Sequence, residues 1–188
     1  MIIAALAFIA ATSVPASIAP ASGMSQTAVA APTLLNEDDL LLYSATLDSL
    51  TLTETLTAYG DANDPLLPLG ELARLLDLDL SVSMPAKRVT GNIGEARRPI
   101  TLDFLNGVGR VGNKDVRLGV GDVGFTEADI YVRASRLSEI LPLKADVSAE
   151  ALSIQLVPVE KLPIQLRMDR LARLRGLNPG KGLDREPA

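Results

Sequence analysis

The sequence predicts an α+β domain made of two copies of a short strand–helix–β-hairpin unit joined by a β-meander, its sheet mostly antiparallel with short helices packed on it. Three observations predict it. Pro65–Val82, PLLPLGELARLLDLDLSV, lies without a gap over Ile130–Val147, IYVRASRLSEILPLKADV, at a shift of about 65 residues. Within each stretch the hydrophobic period falls from that of a helix to that of a strand. A glycine-punctuated stretch of short alternating runs separates the two.

The helical part of the first stretch places Leu69, Leu72, Ala73 and Leu76 at i, i+3, i+4 and i+7. Ala134, Leu137, Ser138 and Leu141 repeat that spacing in the second. Glu71 with Arg74, and Arg136 with Glu139, fall on the other face, where such pairs contribute roughly 0.2–0.5 kcal/mol each. The period then becomes two. Leu78, Leu80 and Val82 alternate with Asp79, Ser81 and Ser83, and Leu143, Ala145 and Val147 alternate with Lys144, Asp146 and Ser148. Turns at Met84–Lys87 and Ala149–Glu150 return the chain through Val89–Ile93 and Leu152–Leu156. One such unit is too small for a sizeable core, so two must share an interior.

Between the units, Ile100, Leu102 and Phe104 alternate with polar residues, and turns are expected at Asn106-Gly107 and Gly112-Asn113. Gly107-x-Gly109 and Gly119-x-Gly121 lack the Lys-Ser/Thr of a phosphate loop and read as turn glycines. Upstream, Leu41, Tyr43, Ala45 and Leu47 form one face of a strand, with Leu42 out of pattern. Leu50–Ala58 fits either a continued strand or a short helix.

The domain organisation follows: a signal peptide over 1–30, a linker over 31–39, the α+β body over 40–160, a basic segment over 161–177 and a disordered tail over 178–188. The leader rests on the apolar run Met1–Ala11 and the small-x-small site Ala28-Val29-Ala30. It has no basic residue ahead of the run, which an upstream start codon would supply. Thr12, Ser13 and Pro15 stop the run short of the ~20 apolar residues of a bilayer span. The acidic knot Asn36-Glu37-Asp38-Asp39 lacks the glycine of a calcium loop and reads as a solvated strand entry.

The 188 residues contain no His and no Cys, which excludes disulfides, the usual zinc sites and Ser-His or Cys-His nucleophile pairs. No cofactor, metal or catalytic residue is assigned. A net charge of -5 argues against nucleic acid as a partner. Charge is nevertheless uneven along the chain: Pro163–Leu177, PIQLRMDRLARLRGL, carries Arg167, Arg170, Arg173 and Arg175 against Asp169. A basic amphipathic helix is expected there, with Leu166, Arg170 and Arg173 on one side and Leu171 and Leu174 on another. It is either an ordinary solvated terminal helix or a contact through Arg167, Arg170 and Arg173 for an anionic surface or partner.

The paired stretches LLPLGELARLLDLDLSVSMPAKRVTG and DIYVRASRLSEILPLKADVSAEALSIQLV resemble the copper amine oxidase N-terminal-like (stalk) domain, over roughly Asp64–Leu156. Arg133 and Ala134 stand where the first copy has Pro68 and Leu69. The preceding LLLYSATLDSLTL and the following LPIQLRMDRLARLR resemble the periplasmic N-terminal region of usher-like outer-membrane proteins, in which a barrel follows; a truncated frame or a free-standing relative is the expectation here. The resemblance implies no catalysis by this module. The expected function is therefore a non-enzymatic, exported, periplasmic or envelope-associated binding or scaffolding module. Its partner would be a protein or an envelope polymer, with no transmembrane span in the mature chain and peripheral membrane contact open to the C-terminal segment. The alternative is a small carboxylate-dependent envelope enzyme, or its accessory domain, for which Asp77, Asp79, Asp103 and Asp115 are the candidates and would have to converge in a cleft.

Overall fold

The computed structural model describes residues 33–177; the leader read over 1–30 and the tail read over 178–188 lie outside the described residues. Strand β1 (Thr33–Leu34) and a 3-10 turn at Glu37–Asp39 precede the hairpin β2 (Leu40–Leu47) and β3 (Leu50–Tyr59). The first unit follows as β4 (Leu66–Pro68), helix α1 (Leu69–Leu75), β5 (Asp79–Ser83) and β6 (Arg88–Ile93). The meander is β7 (Arg98–Asp103), β8 (Val108–Val111) and β9 (Lys114–Arg117). After β10 (Val123–Phe125), the second unit runs β11 (Ile130–Arg133), a 3-10 turn at Ala134–Arg136, α2 (Leu137–Ile140), β12 (Leu143–Ser148) and β13 (Ser153–Pro158). Helix α3 (Pro163–Leu177) comes last.

These elements form the expected α+β fold, in two sheets. One has eight strands in the order β1-β10-β11-β4-β3-β2-β13-β12, and the other five in the order β5-β6-β7-β8-β9. Pairing is antiparallel except for β1 with β10 and β13 with β2. A single hydrophobic cluster draws Tyr43, Leu47 and Leu156 from the large sheet, Val89, Ile100 and Leu102 from the small one, and Leu69, Leu72 and Leu137 from the helices. Neither sheet could bury its apolar face alone, and each supplies the other's cover.

The periodicities explain most of this. Leu69, Leu72, Ala73 and Leu76 are all buried, as one face of α1 requires. Leu78–Ser83 and Leu143–Ser148 share one pattern, a buried first residue and then alternate exposed and half-buried positions. Leu50–Ala58, open to two readings in the sequence, is the strand β3; its threonines, branched at Cβ, favour that choice. Leu42, out of phase, is 51% exposed. Gly107, at φ +63°, makes the turn into β8, and Gly109 packs its backbone on Leu102, so both glycines serve the meander.

Three expectations need correcting. The stretch read as a linker over 31–39 contributes β1, which pairs with β10 through Thr33↔Gly124 and Leu34↔Phe125. In the second unit the helix starts as a 3-10 turn, whose tighter winding moves Ser138 to the surface and puts Ile140 in the core. The two hairpins also part company: β5 and β6 begin the five-stranded sheet, whereas β12 and β13 close the eight-stranded one.

On the other face of the large sheet a smaller cluster of Tyr59, Leu66 and Tyr131 is packed against Leu35, the two rings edge to face at 5.0 Å. Burial, with Tyr59 beside it, pushes the Tyr131 phenol up to about 12 from 10.0. The neutral phenol is thus the form the fold favours. Its contribution is complete below pH 10 and is lost as pH rises towards 12. Tyr131→Phe should therefore flatten the alkaline limb of the melting temperature between those values, and a difference titration of the phenolates should lose its latest-ionising step.

Candidate partner-binding site

Helix α3 is started by residues that need no help from the body. Leu162 is its N-cap, with its carbonyl accepting from the Leu166 N–H at 3.1 Å. Pro163 takes the first helical position, where its missing N–H costs nothing. Gln165 Oε1 accepts from the Leu162 N–H at 3.0 Å, half of a capping box. Leu162 and Ile164 are buried and root the helix; every residue from Leu166 to Gly176 is exposed.

Two polar links hold this helix to the rest, and a third is internal to the segment. Arg167 pairs with Asp77 at 2.9 Å, Gln165 donates to Asp48 at 2.9 Å, and Lys161 reaches Asp169 at 3.3 Å, within the segment itself. Asp77 sits at φ +54°, just past the end of α1, where the Leu78 N–H donates to the Ala73 carbonyl at 2.8 Å in a Schellman closure. One of the three predicted contact arginines, Arg167, is thus a tether. Arg170 and Arg173 are exposed.

The expected segregation of the helix into faces is weak. At 100° per residue Met168, Leu171 and Leu174 follow on from Ile164, with Arg167 and Arg175 among them, while Leu166 lies nearly opposite. Leu166, Met168, Leu171 and Leu174 are between 42% and 55% exposed. Apolar and basic residues mix on both of these sides, and the sector between them holds Gln165, Asp169, Ala172 and Gly176. Because an exposed ion pair contributes at most about 1 kcal/mol, Asp77→Asn should leave the melting temperature nearly unchanged. It should speed amide exchange from Leu166 to Arg175, read by mass spectrometry.

The four candidate carboxylates do not share a cleft. Asp77 is on Arg167, Asp79 on Arg97 at 3.1 Å, Asp103 on Arg88 at 3.2 Å and Asp115 on Arg110 at 2.9 Å. Asp103 and Asp115 line one open depression of about 570 Å³ on the outer face of the five-stranded sheet, with Thr101, Arg110 and Arg117. Hydrogen bonds from Asn106 and the Arg88 guanidinium hold the Asp103 carboxyl below its ordinary range. Such a group accepts hydrogen bonds or pairs with cations; it does not store a proton at neutral pH.

Sequence reasoning missed the pair that joins the two units. Asp129 is 7% exposed, and its carboxylate accepts from the N–H groups of Gly70 at 2.8 Å, Glu71 at 2.9 Å and Ile130 at 2.8 Å. It thereby caps α1, whose own N-cap, Pro68, offers no side-chain bond. Asp64, from the other unit, accepts from the Ser135 N–H and hydroxyl, both at 2.8 Å, at the start of the second helical segment. Each unit caps the other. Between the caps β4 and β11 run antiparallel, with Leu67 facing Val132. The pairs Asp64 with Asp129, Gly70 with Ser135 and Leu67 with Val132 all lie at the shift of 65 that relates the two stretches, a signal carried by their polar residues. A Cβ at Gly70 would lie 2.7 Å from Asp129 Oδ1, so the close approach requires glycine on that side.

Among the described residues no helix is long and apolar enough to cross a membrane. Compared with known proteins, the chain matches no family model, no curated protein and no solved structure.

Proposed function

We propose that this protein is a non-enzymatic binding or scaffolding module of the periplasm or cell envelope that engages a protein or an envelope polymer through α3. The observation that carries the reading is a helix rooted by Leu162 and Ile164 and exposed from Leu166 to Gly176. A helix of 15 residues is close to the length at which isolated helices are marginal in water, and packing normally makes up the difference. Here that packing is left to a partner. Mixed leucine and arginine suits a partner with apolar and anionic groups side by side. Export is supported by the leader pattern in the sequence. Kinship with the copper amine oxidase N-terminal-like domain, and descent of the two units from one, are part of the same proposal; the reciprocal caps and the Leu67↔Val132 register support the duplication.

Photo-crosslinkable residues at Met168 and Leu171 in the full chain, with Thr51 as control, test this in cells. Co-sedimentation of the purified chain with peptidoglycan, and with vesicles of mixed zwitterionic and anionic phospholipid, accompanies it. A discrete adduct at both helix positions, or sedimentation with peptidoglycan, lost in Arg170→Glu/Arg173→Glu, is the expected result. Adducts equal to those at Thr51 together with no sedimentation overturn the reading, and binding to vesicles alone replaces it with peripheral membrane contact.

A further inference from the structure

Strand edges are where a sheet can accept another chain, and folded proteins guard them with charge, proline or brevity. Among the described residues the two sheets end in four edges, β1, β12, β5 and β9. Strand β1 has two residues. Strand β9, KDVR, is charged at three of four positions, and β12 carries Lys144 and Asp146 on its exposed side. Strand β5 is different: after Asp79, which Arg97 holds, Leu80–Ser83 has no charge and no proline. Among the described residues this edge has α1 beside it and its Leu80 N–H donates to the Leu78 carbonyl at 2.9 Å, but Leu80–Ser83 carries none of the charge that guards β9 and β12.

A groove lies along that edge. It is about 280 Å³, lined by Leu78, Leu80 and Val82, by Ala73 and Arg74 of α1, and by Asp129 with its neighbour Ala128. Leu80 and Val82 are only half-buried, although the Val82 row continues inward through Val89 and Leu102, and the Leu80 row through Gly91 and Ile100, to the core. A further strand beside β5 would complete both rows and cover them. The groove lining is mixed, with Leu78, Leu80 and Val82 beside polar backbone and side-chain atoms, and the Asp129 oxygens are already taken by three N–H groups. The exposed guanidinium of Arg74 is therefore the charge that faces an incoming chain.

The geometry points to the β5 edge as a docking site for an extended segment of a partner protein, added as an antiparallel or parallel strand, with an apolar side chain over Leu80 and Val82 and a carboxylate on Arg74. The choice of occupant rests on the Arg74 charge beside Leu80 and Val82, which suits a segment carrying a carboxylate next to apolar side chains. This site is separate from α3 and goes beyond the function proposed above.

A phage-displayed library of short peptides alternating apolar and variable positions, panned against the full chain, tests it. The selected peptides should carry Asp or Glu at one variable position and slow amide exchange within Leu80–Met84. Binding should fall at least tenfold in Ser81→Lys/Ser83→Lys, whose sites are exposed and leave the core intact, and tenfold in Arg74→Glu. N-methylation of alternate peptide amides should abolish binding with no change to the protein. Arg170→Glu/Arg173→Glu should leave peptide affinity unchanged, which separates this outcome from that of the α3 proposal. No enriched peptide, protection on β12 instead, or equal affinity for the N-methylated peptide overturns the assignment. A dimer in sedimentation velocity that Ser81→Lys/Ser83→Lys dissolves overturns it in favour of a second copy.

Discussion

Asp129→Ala should lower the unfolding free energy by about 3 kcal/mol, from the loss of charge-assisted bonds to three N–H groups and of the cap on α1. Urea denaturation at neutral pH reads the change as a shift in midpoint at constant slope. Asp64→Ala, whose carboxylate is partly exposed and serves one residue, should cost roughly 1 kcal/mol. The two aspartates grip different helices, so the double variant should cost close to the sum. Asp129→Asn keeps one acceptor oxygen but turns an NH₂ towards an N–H donor, and should recover less than half of the loss. A cost below about 0.5 kcal/mol for Asp129→Ala would show that the loop preceding β11 does not hold α1.

Leu72→Ala and Leu137→Ala should each cost roughly 2–5 kcal/mol, because both side chains are fully buried and each deletion leaves a cavity between helix and sheet. Loss of ~3 kcal/mol corresponds to a fall of roughly 10 °C in a domain of this size. Leu42→Ala, at an exposed position in the same large sheet, should stay within about 0.5 kcal/mol. Calorimetry of the three variants ranks them. If Leu137→Ala costs much less than Leu72→Ala, the short 3-10 and α turn of the second unit relaxes into the cavity and the longer α1 does not. Equal costs mean that the two sites are comparably rigid.

Much of the fold was legible because the information is local. A strand two residues out of every four apolar, or a helix with Leu69, Leu72 and Leu76 along one side, announces itself within a dozen residues. The meander was readable from its glycines, and the end of the body from Pro163 and the arginines beyond it. Ser138 was misplaced for an equally physical reason: the i, i+4 rule assumes an α-turn, and Ala134–Arg136 winds as 3-10. The candidate site was half legible. The segment and its charge came from the sequence, but Arg167 could not be distinguished from Arg170 until Asp77, ninety positions away, was seen beside it.

What the sequence determined by itself was the inventory: the α+β class, most of the helices and strands with the face each buries, and a chemistry without histidine or cysteine. The tertiary structure decided which sheet each hairpin joins, which aspartate caps which helix and which edge is left open. Periodicity is written in neighbours a few residues apart. The caps and the tether join groups 58 to 90 positions apart, and their pairing follows from how the shared core closes.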